Sequence, residues 1–387
     1  MRVLHIIPSI SRKRGGPSTA ILNMVKALKR ESVNASIITT SDYGSYLESE
    51  HPINRWFHID GIPILIFPSI SCGSKVIDEY LFSPRLSWWL IKNIADFDLV
   101  HIHAVFSYTS TSSMLIARIR GIPYIVRTIG QLNIWSLSQS RFKKILMLSL
   151  IEKSNLERSL AIHVTSISEM EDVRQVCNHP RILKLDLGVN LPNISLDKEV
   201  SSNEMIRFLF LSRIHPKKQL DVLLGCLRKL KLETKPFSWS LLIAGTGEDT
   251  YVQHLKHLAE QYGIAEQINW LGHLDGEEKD LLLRSSDWFV LPSKSENFGI
   301  SAVEALSYGV PVILSREVGI SEIVESNHAG LVYGGGSDRL TSVLNIALRG
   351  APMNMRLAAR KLAEDQFSWP SIGHKLMNFY RSHLNKG

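Results

Sequence analysis

Two consecutive series of short apolar runs, each alternating with stretches of helical period, restrict this chain's fold more than any other feature. In the first series, residues 2–7, 35–39, 63–67, 99–103, 123–127, 161–165 and 182–185 read as buried strands. Helical stretches such as 83–95, 107–119 and 141–158 lie between them. Strands separated by helices pair in parallel, because each crossover helix returns the chain to the same end of the sheet. A polar stretch at 192–204 reads as a linker. The pattern then restarts, with strands at 206–211, 240–244, 268–271, 288–291, 312–314 and 330–332. A chain of 387 residues is also too long for one ordinary core. The expected architecture is α/β, with two Rossmann-like domains at 1–195 and 196–369 facing across a cleft. Residues 371–385 read as a closing helix, within a segment at 370–387 that packs back on the first domain.

Charge narrows the partners. Residues 1–195 hold 22 Lys and Arg against 15 Asp and Glu, so they carry the whole net charge of +7, whereas 196–387 hold 22 of each. A basic half meets something anionic. With no nucleic-acid motif or aromatic–basic platform, that something is an anionic membrane surface or a phosphate-bearing acceptor, not nucleic acid. No run of about 18 apolar residues occurs, and Pro8 cuts the apolar start, so neither a spanning helix nor a signal peptide is expected. Cys72, Cys177 and Cys226 lack metal-type spacing and read as free thiols in a reducing compartment. The expected location is therefore cytoplasmic, with peripheral attachment to the inner face of the membrane.

Paired carboxylates mark one segment. A strand at 288–291 runs into a polar loop containing Glu296, and a helix starting near Gly299 to Ser301 carries Glu304 on its second turn. Free N–H groups at such a helix start suit a diphosphate, and two carboxylates beside it suit sugar and ribose hydroxyls. The plainer alternative is a helix-dipole partner and a solvated loop residue. In a second segment, Arg213 ends a strand and Lys218 opens the next helix, with Lys217 as its rival. Cations placed there stabilise a departing nucleoside diphosphate, or are simply solvated.

Weaker signals follow. In Gly15-Gly16-Pro17, Gly16 lets backbone approach an anion at a helix start, or makes an ordinary turn. Gly245, in Gly245-Thr246-Gly247, is equally a tight turn or a ligand contact. His103 closes the strand 99–103, with His101 deeper on the same side. The basic start and apolar continuation of 141–151 read as an amphipathic helix on an anionic membrane, or as a core helix whose cations reach solvent. The mixed charges of Glu152, Glu157 and Arg158 favour the core reading.

The segment from Glu296 to Glu304, with Asp287-Trp-Phe-Val-Leu-Pro-Ser before it and Ser307-Tyr-Gly-Val-Pro-Val after it, resembles the Glu-x7-Glu motif of the retaining glycosyltransferases of family 4. These are the glycosyl transferases group 1, of GT-B fold, here of polysaccharide-biosynthesis type. The resemblance implies that Glu304 holds the donor ribose and Glu296 lies by the transferring sugar. It places the amides of Phe298, Gly299, Ile300 and Ser301 on donor hydroxyls and phosphate, and Arg213 and Lys218 on the diphosphate. His103 resembles the second His of the family's VHxH element and so touches the donor sugar. Gly16 lies near the donor phosphates, and His273 and Leu274 lie where the base is held. Arg127-Thr-Ile-Gly130-Gln131-Leu132 is similar to an Arg-Gly-x-Leu element, which puts Arg127 and Gln131 on the acceptor side. Asp186-Leu-Gly-Val departs from the usual Pro-Asn-Gly-Val. The implied reaction moves a hexose from a UDP- or GDP-linked donor to a glycan, lipid-linked or small-molecule acceptor with retention. No Asp-x-Asp stands in a strand-end loop, so no metal or other cofactor is expected. A UDP-sugar 2-epimerase of the same fold, or an inactive sugar-nucleotide binder, are the alternatives.

Overall fold

The computed structural model describes residues 1–11, 16–41, 51–70, 78, 80–139, 141–194, 205–233 and 238–384. The chain divides into two compact units, Met1–Gly188 with Trp369–Gly387, and Val189–Ser368.

The first unit is built on eight strands: β1 (Arg2–Ile7), β2 (Asn34–Thr40), β3 (Trp56–Ile59), β4 (Ile62–Phe67), β5 (Leu99–His103), β6 (Tyr124–Arg127), β7 (Ala161–Val164) and β8 (Ile182–Lys184). Their order is β3-β4-β2-β1-β5-β6-β7-β8, parallel except for β3 against β4. The sequence reading lacks β3. Its alternately exposed residues present no continuous apolar run, and the signal was the turn, Asp60-Gly61, with φ values of 49° and 75°. Two consecutive positive-φ residues fit the twist of a tight hairpin. Fully buried Leu4, Ile6, Val100, Ile102, Val126 and Ile162 form the sheet's contribution to the core, against which Leu86 and Leu90 of the helix Pro84–Asn93 pack.

The second unit has six parallel strands: β9 (Met205–Leu211), β10 (Ser238–Ala244), β11 (Ile268–Gly272), β12 (Trp288–Leu291), β13 (Val312–Ser315) and β14 (Gly330–Tyr333). Their order is β11-β10-β9-β12-β13-β14. Strand order reverses at β1/β5 in one sheet and at β9/β12 in the other, and the crevice outside such a reversal is where doubly wound sheets bind ligands.

Three boundaries differ from expectation. The units divide at Gly188/Val189, not at 195/196, and residues 195–204 of the expected linker lie outside the described residues. Gly188 lies flat against the Trp369 ring, where a Cβ would fall 2.4 Å from the indole. The closing helix is Trp369–Leu384, and it packs on the helix Gly16–Arg30 of the first unit through Gly373, whose absent Cβ would meet that of Ala27 at 2.9 Å. Asn385 lies outside the described residues. The expected helix 141–158 is instead Arg141–Met147, a π-turn Leu148–Glu152 and Lys153–Glu157. The wider turn directs Glu152 inward, where Thr111 donates to it, while Leu150 and Ile151 face outward. Cys177 and Cys226 are buried and unpaired, and Cys72 lies outside the described residues. Among the described residues no helix is long and apolar enough to cross a membrane.

Candidate active site

In the second unit, the reversal between β9 and β12 brings the loops after these strands side by side, and the Lys294 amide donates to the Lys217 carbonyl at 2.9 Å. Arg213 lies two residues beyond β9 and is exposed. Pro216–Lys218 forms a single 3-10 turn, which His215 caps by accepting from the Lys217 amide through Nδ1 at 3.1 Å. Lys218 therefore closes this turn and does not open the helix, which starts at Leu220 after left-handed Gln219. A proline at the first position and a capping side chain before it favour the short turn.

The Lys218 ammonium pairs with the Glu296 carboxylate, with side chains only 16% and 21% exposed. Burial, and then the neighbouring charges of Lys217 and Arg213, push the Lys218 ammonium down to about 8. Burial also lowers Lys217 and His215, with the surrounding cations adding to the effect. Four basic side chains thus share one loop, and such crowding is relieved by a bound anion.

The glycines after β10 shape this loop. Gly245 has φ 140°, and a Cβ there would stand 1.9 Å from the Ser212 carbonyl oxygen; one at Gly247 would stand 2.2 Å from that of Ile214. The Ile214 amide donates to the Thr246 carbonyl at 2.8 Å. Gly245 therefore lets backbone lie along the segment that carries Arg213.

The loop after β12 is fixed to the one after β13. The Glu296 amide donates to the Glu317 carbonyl at 3.0 Å, and Gly319 donates to the Glu296 carbonyl at 2.9 Å. Gly299 adopts φ 93° at the N-cap of the helix Ile300–Ser307 and, as a glycine, offers its first turn no capping side chain of its own. The Glu296 side chain lies beside this helix start, 3.7 Å from where a Gly299 Cβ would be. Ile300 and Ser301 are half-buried there, whereas Phe298 is buried, with its ring in the core against Phe367. Glu304 is half-buried on the second turn and bonds to Lys279 Nζ at 3.0 Å. Lys279 went unread in the sequence, because its partner comes from a different helix. His273 and Leu274 follow the edge strand β11, two strands from the reversal. His273 is exposed, 3.9 Å from Asp275.

In the first unit, three histidines on adjacent strands stack in the core: His5 on β1, with His101 and His103 on β5. All are fully buried, as is His163 on β7, and burial holds every one far below the usual imidazole range, His5 and His163 at about 3. Neutral rings fix the tautomers. His163 Nε2 faces the Leu185 carbonyl at 2.9 Å and must be the donor, so its Nδ1 accepts from His101 Nε2 at 3.3 Å. His101 Nδ1 then accepts from the Tyr380 hydroxyl at 2.6 Å. His103 Nε2 and His5 Nδ1 share one proton at 3.1 Å, which leaves His103 Nδ1 and His5 Nε2 without a partner among the described residues. The ring nitrogens of His5, His101 and His103 lie within 4.8 Å of one another, close enough to hold a metal ion. A cation there would have to displace the His101 bonds and sit near the Arg127 guanidinium, whose charge further lowers His101 and His103.

Arg127 ends β6 beside His103, is only 2% exposed, and among the described residues its Nε and Nη1 have no partner. Burial lowers it to about 10, which Glu169 partly offsets. Glu169, unread in the sequence, shapes the following loop by accepting from Thr128 Oγ1 and the Gly130 amide, both at 2.6 Å. Gln131 Oε1 accepts from the Val105 amide at 2.7 Å and so ties this loop to the one after β5. Gly16 is exposed at the first position of its helix, and Gly15 lies outside the described residues.

Residues 15–182 match the family model "Glycosyl transferase 4-like domain", and residues 194–362 match "Glycosyl transferases group 1", one in each unit. The chain belongs to the group 1 glycosyltransferases. It is 26% identical over 240 residues to an uncharacterized glycosyltransferase of Methanocaldococcus jannaschii, a match that covers 58% of this chain and 60% of that relative. Over its whole length it is 22% identical to the GDP-mannose:cellobiosyl-diphosphopolyprenol alpha-mannosyltransferase of Komagataeibacter xylinus, of which it covers 94%. The crystal structure of Anabaena HepE in complex with UDP superposes with a TM-score of 0.76 at 17% identity, covering 99% of this chain and 100% of that one. That likeness establishes the group 1 fold, two Rossmann-like domains of GT-B type.

Proposed function

We propose that this group 1 member transfers a hexose from a UDP- or GDP-linked donor to a glycan or lipid-linked acceptor, with retention of anomeric configuration, in the synthesis of a cell-surface polysaccharide or glycoconjugate. The observation that carries this reading is the crowding of Arg213, His215, Lys217 and Lys218 beside Glu296, which itself lies at the start of the helix Ile300–Ser307. As the bond from the anomeric carbon to the diphosphate breaks, negative charge grows on the diphosphate oxygen. Fixed cations then lower the barrier without reorganising. Arg213 meets the diphosphate bidentately, and Lys218 meets it as a point charge. The acceptor oxygen bonds to the anomeric carbon on the face the diphosphate leaves, and its proton passes to the departing diphosphate oxygen. Glu296 keeps Lys218 charged and accepts from sugar hydroxyls. Glu304, oriented by Lys279, accepts from the ribose, while the amides of Phe298 to Ser301 donate to phosphate and sugar. On the resemblance, His103 bonds the transferring sugar, which requires its fully buried ring to be uncovered on that side. Arg127 and Gln131 shape the acceptor side. The relative from Komagataeibacter, which uses a polyprenol-linked acceptor by its name, supports the lipid-linked choice. No cofactor is required in this scheme.

The test is release of nucleoside diphosphate by purified protein offered UDP- and GDP-sugars, with polyprenyl-diphosphate-linked sugars as acceptors. Release that requires acceptor supports transfer. Isomerised donor without acceptor would instead establish an epimerase, and no change with any donor would establish a binding protein.

A further inference from the structure

Between residues 134 and 151 the chain turns apolar side chains outward. Phe142, Ile145 and Leu146 share one face of the helix Arg141–Met147 at the i, i+3, i+4 spacing that ordinarily faces a core, yet Phe142 is 81% exposed. Ile134 is 72% exposed and Trp135 48% on the short helix before it, and Leu150 is 68% exposed on the π-turn after it. The core reading of this segment therefore holds for Leu148, which packs against the core, and not for these side chains. Exposed apolar side chains gathered on packed neighbouring turns mark an interaction surface.

We infer that the face formed by Ile134, Trp135, Phe142, Ile145, Leu146 and Leu150 docks on an anionic lipid bilayer. Its chemistry is that of an interfacial segment. No Asp or Glu occurs between residues 134 and 151, while Arg141, Lys143 and Lys144 lie among the apolar residues. Lys143 is exposed, and Lys144 is held by the Ser136 carbonyl at 2.6 Å. Apolar side chains that enter the acyl boundary, with cations left for the headgroups, suit a negatively charged bilayer. The unit that bears this face also carries the chain's excess positive charge, since residues 1–195 hold the whole +7. The π-turn contributes by withdrawing Glu152, the first acid after the segment, into the core while Leu150 stays outside. The face begins three residues after Gln131, so it lies next to the loop proposed to shape the acceptor side. That proximity gives docking a purpose only if the acceptor is lipid-linked, and to that extent the inference rests on the proposed function.

Vesicle binding tests it without any need for activity. Full-length protein is sedimented with phosphatidylcholine vesicles, with and without added phosphatidylglycerol, and UDP or GDP binding is measured on the same preparation. Wild type is expected to bind the anionic vesicles more tightly. Phe142→Ser with Leu150→Ser should weaken binding to either vesicle by about a hundredfold. Lys143→Gln should weaken binding to anionic vesicles alone by about fivefold. Unchanged thermal midpoints and nucleotide binding in these variants would show that the fold is intact. Wild type that ignores anionic vesicles, or a double variant that binds as well as wild type, would overturn the inference. So would a wild-type oligomer that the double variant converts to monomer without vesicle binding in either, because the face would then join two copies of the chain.

Discussion

Lys218 gives the donor site a pH dependence. Its ammonium is held at about 8 by burial and by Lys217 and Arg213, so its charge disappears as pH rises through that value. At pH 9 roughly nine-tenths of the side chain would be neutral in the free enzyme, and kcat/KM should fall about tenfold for each further unit. Lys218→Arg keeps a charge that does not titrate below about pH 12, so the same variant should hold its kcat/KM across pH 8 to 9.5, from a lower starting value at pH 7. Glu296→Gln should move the alkaline limb below that of wild type, because it removes the carboxylate paired with Lys218. Lys218→Met should lower kcat at pH 7 by about two orders of magnitude, near 3 kcal/mol for one preorganised charge. The assay is nucleoside diphosphate release at low donor concentration over pH 6 to 10, with unfolding followed in the same buffers. A wild-type profile flat to pH 10 would refute the reasoning. An alkaline limb that Lys218→Arg leaves in place would refute it equally, since the titrating group would then be elsewhere.

Arg213→Ala should lower kcat more than it raises donor KM, by about a hundredfold, because its charge matters most as the diphosphate departs. Glu304→Ala should instead raise donor KM with kcat less changed, since ribose hydroxyls alter little in the reaction; steady-state kinetics on both variants separate the two roles. Burial raises the Glu152 carboxyl to about 7, so the folded state favours its protonated form and stability is lost as pH rises through that value. Glu152→Gln should therefore leave urea-measured stability near pH 4 unchanged and add about 3 kcal/mol at pH 8. Tyr380→Phe removes the donor to buried His101 Nδ1 and should cost about 1–3 kcal/mol, read as a lower thermal midpoint.

Much of the architecture was legible before any coordinates. Short continuous apolar runs alternating with stretches of period 3.6 gave both parallel sheets, because burial on both faces of a strand and one face of a helix leaves that record in a sequence. Strand β12 is as expected to the residue, and Gly299 with Glu304 sits at the helix start that the local pattern required. These features depend on neighbours within a few residues. The β3 hairpin was missed because its strand is half-exposed and only its turn carried a signal.

What the tertiary structure alone decided is which distant groups meet. The reversal at β9/β12 sets Lys218 against Glu296, 78 residues apart, and the pairing of adjacent strands sets His5 against His103. Glu304 with Lys279 and Tyr380 with His101 are likewise contacts between elements, as the charge effect of Glu169 on Arg127 acts between elements, and no local pattern encodes them. The same holds for the face at 134–151. Its apolar period predicted burial, since a helix records only that one side is apolar. Whether that side meets a sheet or remains outside depends on what the rest of the chain packs against it, and here it leaves Phe142 and Leu150 in the open.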